Sequence, residues 1–267
     1  MRHAAFAAAM ALATASQAQP TGQAGGPLER DLRALEAWLP GEFDNAEQWY
    51  FAQEQKVALP PRIHAAVTAV GAHAFRIVHS ADNDPTKVID DRTFTASVDA
   101  ATGGLKLTAP GCEIRLKRQA NQFVGGTEAG QCGDRASRAM VITDREVHRG
   151  PIRLQRAQMW TCWMAVPRSE TPGDWFFAPG LKLSDQGGEV FVTSDGPSPQ
   201  GIGYRLRQVD WPTGANQNAL TLYVLRKGED RAAGYSWANP EATRIGVNLR
   251  WMQGSCSRPN FSGPGAP

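Results

Sequence analysis

The sequence lacks the short motifs by which the commonest enzyme classes are recognised. It contains no GxSxG, no HExxH, no glycine-rich phosphate-binding loop and no CxxC pair. The usual sequence grounds for a hydrolase, a metalloprotease, a nucleotide-binding enzyme or a thiol oxidoreductase are therefore missing. Three of the five histidines, His64, His73 and His79, share one region. Because no carboxylate or cysteine accompanies them at ligand spacing, we predict no metal site.

Long apolar runs and an excess of one charge are missing too. No segment beyond the amino terminus approaches the roughly eighteen consecutive apolar residues of a membrane helix, so the protein is predicted not to be embedded in a membrane. Lys and Arg number 28 against 26 Asp and Glu, which gives a net charge of +2. The two signs alternate along the chain instead of forming one basic face, and nucleic acid is not expected as a partner.

The amino terminus has the order typical of a secretory signal peptide. Charge at Arg2 and His3 precedes a short apolar run over 4–13, and the small residues of SQA at 16–18 suit a signal peptidase. We predict that residues 1–18 are removed and that the protein is periplasmic or secreted. An alanine-rich helix that frays in the mature protein is the alternative.

Four cysteines are an even number in a chain that is predicted to leave the reducing cytosol. Two disulfides are the natural interpretation, and three pairings are possible. We favour Cys112 with Cys132 and Cys162 with Cys256, because the first two flank one predicted hairpin. Zinc is the rival interpretation, but none of the cysteines has a CxxC neighbour or a histidine close in sequence.

Apolar spacing predicts one helix followed by many strands. Within 26–41 the helical spacing is carried by Leu28, Leu32, Leu35 and Leu39, which predicts a short amphipathic lid or plug. From Phe43 onward the pattern changes to short runs of period two that are separated by Gly, Pro and Asn. This pattern is typical of a mostly β, antiparallel barrel or sandwich.

The strand pattern extends over two stretches. We predict a first β unit over 28–166 and a β-rich carboxy-terminal extension over 175–256, with the polar segment 167–174 as a linker or long loop between them. The last residues, 257–267, are rich in Pro, Gly and Ser and are predicted to be a flexible tail.

Two motifs give the chain a resemblance to a known family. The first is G-x-F-x-N-x-x-Q, carried by Gly41, Phe43, Asn45 and Gln48. The second is a G-C strand followed by F-x-G-x-T and another cysteine, carried by Gly111, Cys112, Phe123, Gly125, Thr127 and Cys132. In this order they resemble the CpcT/CpeT-type chromophore lyases, the T-type phycobiliprotein lyases, over roughly residues 28 to 165. The resemblance implies a lipocalin-like (calycin) antiparallel β-barrel that receives a linear tetrapyrrole and delivers it to a cysteine of an acceptor protein.

The resemblance also implies which side chains contact a ligand. In the family, the strand that corresponds to the one beginning near residue 88 faces the barrel cavity. The contacts implied in this way are Asn45, Gln48, His79, Asp91 and Arg92. Tyr50 is added from the residues themselves, because at least one aromatic of a strand over 49–51 would face the interior.

The family's two ligand-handling strands are only partly kept. Where the family has E-Q, this chain has His79 and Ser80, and its aromatic-R-Q-R is replaced by IDDR at 89–92. Asp90 therefore stands where the family has an arginine, and a carboxylate repels a propionate that an arginine would attract. We expect a ligand that is less anionic than a bilin with two propionates.

Three functions from different classes remain open. The first is an exported small-molecule-binding barrel without efficient bilin transfer, and its ligand would be a linear tetrapyrrole or another small apolar molecule. The second is an active chromophore lyase with an acceptor protein as its partner. The third is a non-enzymatic envelope interaction protein whose barrel is filled by its own side chains. A homodimer is compatible with all three.

Overall fold

The computed structural model describes residues 25–82, 84, 86–128, 132, 139–168, 171, 173–192, 201–211 and 217–259. The predicted signal peptide, 1–18, lies outside the described residues, as does most of the predicted tail, 257–267. Neither helix in the described part of the chain is long and apolar enough to cross a lipid bilayer.

The first ten strands form a closed barrel in which all neighbours are antiparallel. Helix α1 (Pro27–Trp38) precedes the barrel, and helix α2 (Ala46–Glu54) is inserted between its first two strands. The strands are β1 (Gly41–Asp44), β2 (Ile63–Gly71), β3 (Ala74–Ala81), β4 (Val88–Asp99), β5 (Gly104–Ala109), β6 (Cys112–Gln119), β7 (Gln122–Gly126), β8 (Met140–Ile142), β9 (Glu146–Arg149) and β10 (Ile152–Ala157). Each strand from β2 to β9 pairs with the next in sequence, and β1 closes the ring between β2 and β10. The prediction of an antiparallel barrel preceded by a short helix is confirmed.

Alternation along the barrel strands builds a single apolar interior. Successive side chains of a strand point to opposite faces, so every second residue enters the core. The buried strand residues include Phe75, Phe94, Leu105, Leu107, Leu116, Phe123, Ile142 and Leu154. Three leucines at helical spacing, Leu32 and Leu35 in α1 and Leu39 directly after it, pack against the same core. Helix α1 therefore acts as the predicted plug of the barrel.

Arg156 fastens the end of α1 to the barrel wall. Its guanidinium donates hydrogen bonds to the carbonyl oxygens of Trp38 and Pro40 and lies 4.5 Å from the ring centroid of Phe43. A cation beside the last carbonyls of a helix interacts favourably with the helix dipole. Gly41 has a φ of 140°, a conformation that favours glycine, and a Cβ at this position would clash with the guanidinium. The first residue of the G-x-F-x-N-x-x-Q motif is thus a structural requirement.

The remaining eight strands form two four-stranded sheets that share a second core. One sheet has the order β12-β11-β18-β17 and the other β13-β14-β15-β16. The strands are β11 (Met159–Pro167), β12 (Trp175–Ser184), β13 (Gln186–Val192), β14 (Ile202–Val209), β15 (Ala219–Arg226), β16 (Gly234–Ala238), β17 (Arg244–Leu249) and β18 (Met252–Ser257). Inward residues of both sheets are buried against each other, among them Trp160, Met164, Tyr204, Leu206, Leu222 and Ile245. The arrangement is a β-sandwich.

The barrel ends earlier than the predicted boundary at residue 166. Its last strand finishes at Ala157, and β11 pairs with β12 and β18 of the sandwich. The segment 167–174 lies in the connection between β11 and β12, which pair with each other, so it joins two strands of one sheet and does not link two units. Alternation is the same in both cores, so the sequence pattern alone does not show where one core gives way to the next.

The predicted strand over 49–51 is wrong. Trp49, Tyr50 and Phe51 belong to α2. Three adjacent aromatics carry no period of their own, so the run does not distinguish a strand from a helix. In the structure α2 lies outside the barrel strands, where Phe51 contacts Trp211 of the sandwich at a centroid distance of 5.5 Å.

Both favoured disulfides are present, Cys112 with Cys132 and Cys162 with Cys256. Cys162 and Cys256 lie directly opposite each other on the paired strands β11 and β18. Cys132 is held beside β6 by its backbone N–H, which donates to the carbonyl of Gly111 at 2.9 Å. Bridges of this kind are compatible with an oxidising compartment.

Candidate functional site

The barrel encloses a cavity of about 320 Å³. Its wall is mostly apolar, and Leu39, next to α1, contributes to one part of it. The apolar lining residues include Phe43, Val67, Ile77, Phe94, Leu107, Ile114, Met140, Ile142, Val147 and Leu154. A ligand pocket of drug-like size measures about 300–1,000 Å³ and is lined in the same way, with a few polar groups that fix orientation. The volume is at the lower end of that range.

Four ionisable side chains lie in the wall of this cavity, and we call them the charged cluster: His79, Asp90, Arg92 and Arg149. They come from three strands, His79 from β3, Asp90 and Arg92 from β4, and Arg149 from β9. Alternation sends Asp90, Arg92 and Phe94 inward together. A register shift between β3 and β4 pairs His79 with Asp90 but Ser80 with Val88, which brings the histidine opposite the aspartate.

Hydrogen bonds tie the cluster together. Arg92 Nε donates to Asp90 Oδ1 at 2.9 Å, and Arg92 Nη1 donates to the carbonyl of Cys132 at 3.3 Å. Arg149 Nη1 lies 3.1 Å from His79 Nε2. A guanidinium can only donate, so Nε2 is the acceptor and the neutral imidazole carries its proton on Nδ1, 3.8 Å from Asp90 Oδ2.

The cluster contains two guanidiniums, one carboxylate and one imidazole. Burial, together with the nearby Arg149 guanidinium, lowers the pKa of His79 to about 4, so this imidazole is neutral at pH 7. Burial also lowers the pKa of Arg149, while the carboxylate of Asp90 opposes that shift. Arginine stays protonated in proteins, so two guanidiniums share one carboxylate in an apolar wall.

A second chamber of about 510 Å³ adjoins the cavity on the other side of the cluster. His79, Asp90 and Arg149 line both spaces, together with Ile89 and Leu154. The outer chamber is bordered by the connection that leads into β2, including Pro61 and Arg62. Three members of the charged cluster therefore lie between an inner apolar chamber and an outer one, and Arg92 lines the inner chamber alone.

Of the side chains predicted to contact a ligand, His79 and Arg92 line the cavity. Asp91 does not, because it points outward from β4 and forms an exposed pair with Arg76, with N···O distances of 2.9 and 2.6 Å. Tyr50 lies on α2 and faces the sandwich. Its ring centroid is 3.5 Å from the guanidinium carbon of Arg207.

Asn45 and Gln48 hold α2 to the barrel. Asn45 Nδ2 donates to the carbonyl of Pro61 at 2.7 Å, and its Oδ1 accepts from the backbone N–H of Ile63 at 2.8 Å. Gln48 Nε2 donates to the carbonyl of Pro151 at 2.6 Å, and its Oε1 accepts from the N–H of Arg153 at 3.0 Å. Neither residue lines the cavity. The polar residues of the first motif therefore have a structural role in this chain.

Sequence reasoning missed Arg149 as a site residue. It follows Val147 at a spacing of two on β9, so alternation assigns both to the same face. The sequence pattern that could have revealed it is a charged residue at an alternate position that apolar residues otherwise occupy. Because β9 is so short, this alternation is a weak signal. Among the described residues, no three His, Cys, Asp or Glu side chains come close enough together to hold a metal ion.

The class of protein defined by this fold is a closed, lipocalin-like antiparallel β-barrel followed by a β-sandwich. The sequence matches no protein-family profile. No curated protein matches it significantly. Among solved structures, the T-type phycobiliprotein lyase CpeT from Prochlorococcus phage P-HM1 is similar to 47% of this chain over 96% of its own, with 15% identity and a TM-score of 0.39. A likeness of this strength carries no inference about function.

Proposed function

We propose that the barrel binds a small molecule with an apolar body and one anionic group. The observation that carries this proposal is the charged cluster, in which Arg92 and Arg149 share the single carboxylate of Asp90 in the wall of an apolar cavity. A guanidinium with little access to water attracts an anion strongly, because the local dielectric is low. The apolar body would fill the inner chamber, where each buried CH₂ contributes about 0.8 kcal/mol.

The carboxylate of Asp90 disfavours a bilin. It lines the same cavity and repels a propionate, and a bilin brings two propionates. We propose that the chain is a divergent relative of the CpcT/CpeT-type lyases that binds its ligand without efficient transfer. Transfer to an acceptor protein is the alternative. The cavity of about 320 Å³ speaks against the third hypothesis, a barrel filled by its own side chains.

Calorimetric titration with dodecanoate, dodecanol and biliverdin tests this proposal. Dodecanoate is expected to bind more tightly than dodecanol, because only the carboxylate can accept hydrogen bonds from Arg92 and Arg149. Arg149→Met should lower the affinity for dodecanoate by about 10- to 100-fold, since a hydrogen bond to a charged group contributes about 1.5–3 kcal/mol. The affinity for dodecanol should change little.

The chain offers a matched control for the charge at this site. Asp90→Asn removes a carboxylate inside the cavity and should strengthen dodecanoate binding, whereas Asp91→Asn makes the same change on the outside of the same strand and should leave binding unchanged. Equal affinities for dodecanoate and dodecanol, in the natural protein and in Arg149→Met, would contradict the proposal. Colour that stays on an acceptor protein in acid urea after mixing with biliverdin would favour the lyase instead.

We further propose that the protein is exported to the periplasm or secreted. The order of charge, apolar run and small residues over 1–18 supports this, and the two disulfides are compatible with an oxidising compartment. Mass spectrometry of the protein recovered from its native host should show a chain that starts near Gln19. Recovery of a chain that retains Met1 would contradict export by cleavage.

A further inference from the structure

The outer face of one sandwich sheet carries three neighbouring aromatic rings. Tyr223 of β15 lies opposite Tyr235 of β16, and Trp237 follows two residues later on the same face. We call these three residues the aromatic platform. Tyr235 is 67% exposed and Trp237 71%, the two highest values among the large apolar side chains of the described residues. The sandwich core does not need them, because Leu222 and Val224 on the opposite face of β15 supply it.

The rings are close enough to act together. The centroids of Tyr223 and Tyr235 are 6.3 Å apart. Tyr235 and Trp237 are two positions apart on one strand, which corresponds to about 6.8 Å along the strand. A soluble protein rarely exposes adjacent large aromatics unless they contact a partner or ligand.

Polar side chains stand beside the platform, and their charges are paired. Arg205 pairs with Glu189, and Arg207 pairs with Glu47 of α2 at 2.7 Å. Arg205, Glu189 and Tyr223 also line a cavity of about 290 Å³, whose wall holds three arginines and three acidic residues in all. The face thus offers hydrogen-bonding groups of both signs and no patch of a single charge that would select an anion or a cation.

We propose that this face is a binding site for a neutral oligosaccharide. Pyranose rings present flat C–H faces that pack on aromatic rings and hydroxyl groups that both donate and accept hydrogen bonds. The exposed platform supplies the stacking surface, and the partly exposed Arg205 and Glu189 beside it supply donors and acceptors. An ionic ligand would have to break that pair, whereas a neutral one does not. Three neighbouring rings accommodate more than a single sugar unit.

Titration calorimetry with cellohexaose, xylohexaose, mannohexaose and chitohexaose tests the site. Saturable binding of at least one of them is expected, together with a change in tryptophan fluorescence as Trp237 is covered. Trp237→Ala and Tyr235→Ala should each weaken that binding at least tenfold, because each removes a stacking surface. The side chains are exposed, so the fold should remain intact. Phe177→Ala is the matched control, because Phe177 is 53% exposed but belongs to β12 of the other sheet.

Two results would overturn the proposal. One is the absence of saturable binding to all four oligosaccharides. The other is a homodimer, seen by light scattering after gel filtration, that Trp237→Ala converts to a monomer, since the platform would then be a surface for self-association. Dodecanoate binding by the barrel is expected to be the same in Trp237→Ala as in the natural protein, so the two sites can fail independently.

Discussion

Glu47→Ala and Arg207→Ala are each expected to lower the free energy of unfolding by about 3–5 kcal/mol, because each leaves its partner as a buried, unpaired charge. The two side chains are 4% and 6% exposed and form two parallel hydrogen bonds of 2.7 and 2.9 Å between α2 and β14. Burial raises the pKa of Glu47, and the Arg207 guanidinium opposes this shift. Urea denaturation followed by tryptophan fluorescence measures the loss.

The neighbouring pair of Arg205 and Glu189 is the control for this prediction. It joins β14 to β13 with the same residue types, but both side chains are more than one third exposed. Glu189→Ala should therefore cost only about 0–1 kcal/mol. The double variant Glu47→Ala/Arg207→Ala should cost less than the sum of the two single changes, because the second substitution removes the charge left unpaired by the first. Additive losses, or a loss at Glu47 no larger than that at Glu189, would contradict the interpretation.

Loss of the Cys162–Cys256 bridge is expected to destabilise the protein more than loss of the Cys112–Cys132 bridge. The first closes a loop with a sequence separation of 94 and the second one of 20. A crosslink stabilises chiefly by restricting the unfolded chain, and the chain-entropy relation gives about 4.7 kcal/mol for the longer loop and about 3.3 kcal/mol for the shorter.

Paired alanine substitutions of each bridge, compared by urea denaturation, measure these two contributions. Both cysteines of the long loop are fully buried on neighbouring strands, and alanine occupies those positions without a free thiol. Each variant serves as the control for the other, since both remove one bridge and two sulfur atoms. A greater loss of stability from the Cys112 and Cys132 substitutions would show that local contacts in the barrel outweigh the loop entropy.

The sequence allowed the barrel and its plug to be predicted because both depend on local periods. Leu32, Leu35 and Leu39 follow the helical period because α1 buries one face against the barrel. Apolar and polar residues alternate along the β strands because one face of each strand packs in the core. The pairing of Cys112 with Cys132 followed from a hairpin between neighbouring strands. The aromatic run at 49–51 has no such period, and α2 is held by contacts with residues far along the chain, such as that of Glu47 with Arg207.

By itself, the sequence determined which residues alternate and therefore that a mostly β chain with one amphipathic helix would form. Only the tertiary structure decided which charges enter the barrel. Asp90 and Asp91 are neighbours, yet one faces the cavity and the other pairs with Arg76 outside, because a strand sends successive side chains to opposite faces and the register shift opposite His79 sets the phase. Arg149 joins Asp90 and Arg92 only because the barrel closes on itself and brings β9 and β4 to one cavity. Closure of the barrel, which no local pattern encodes, therefore creates the candidate site.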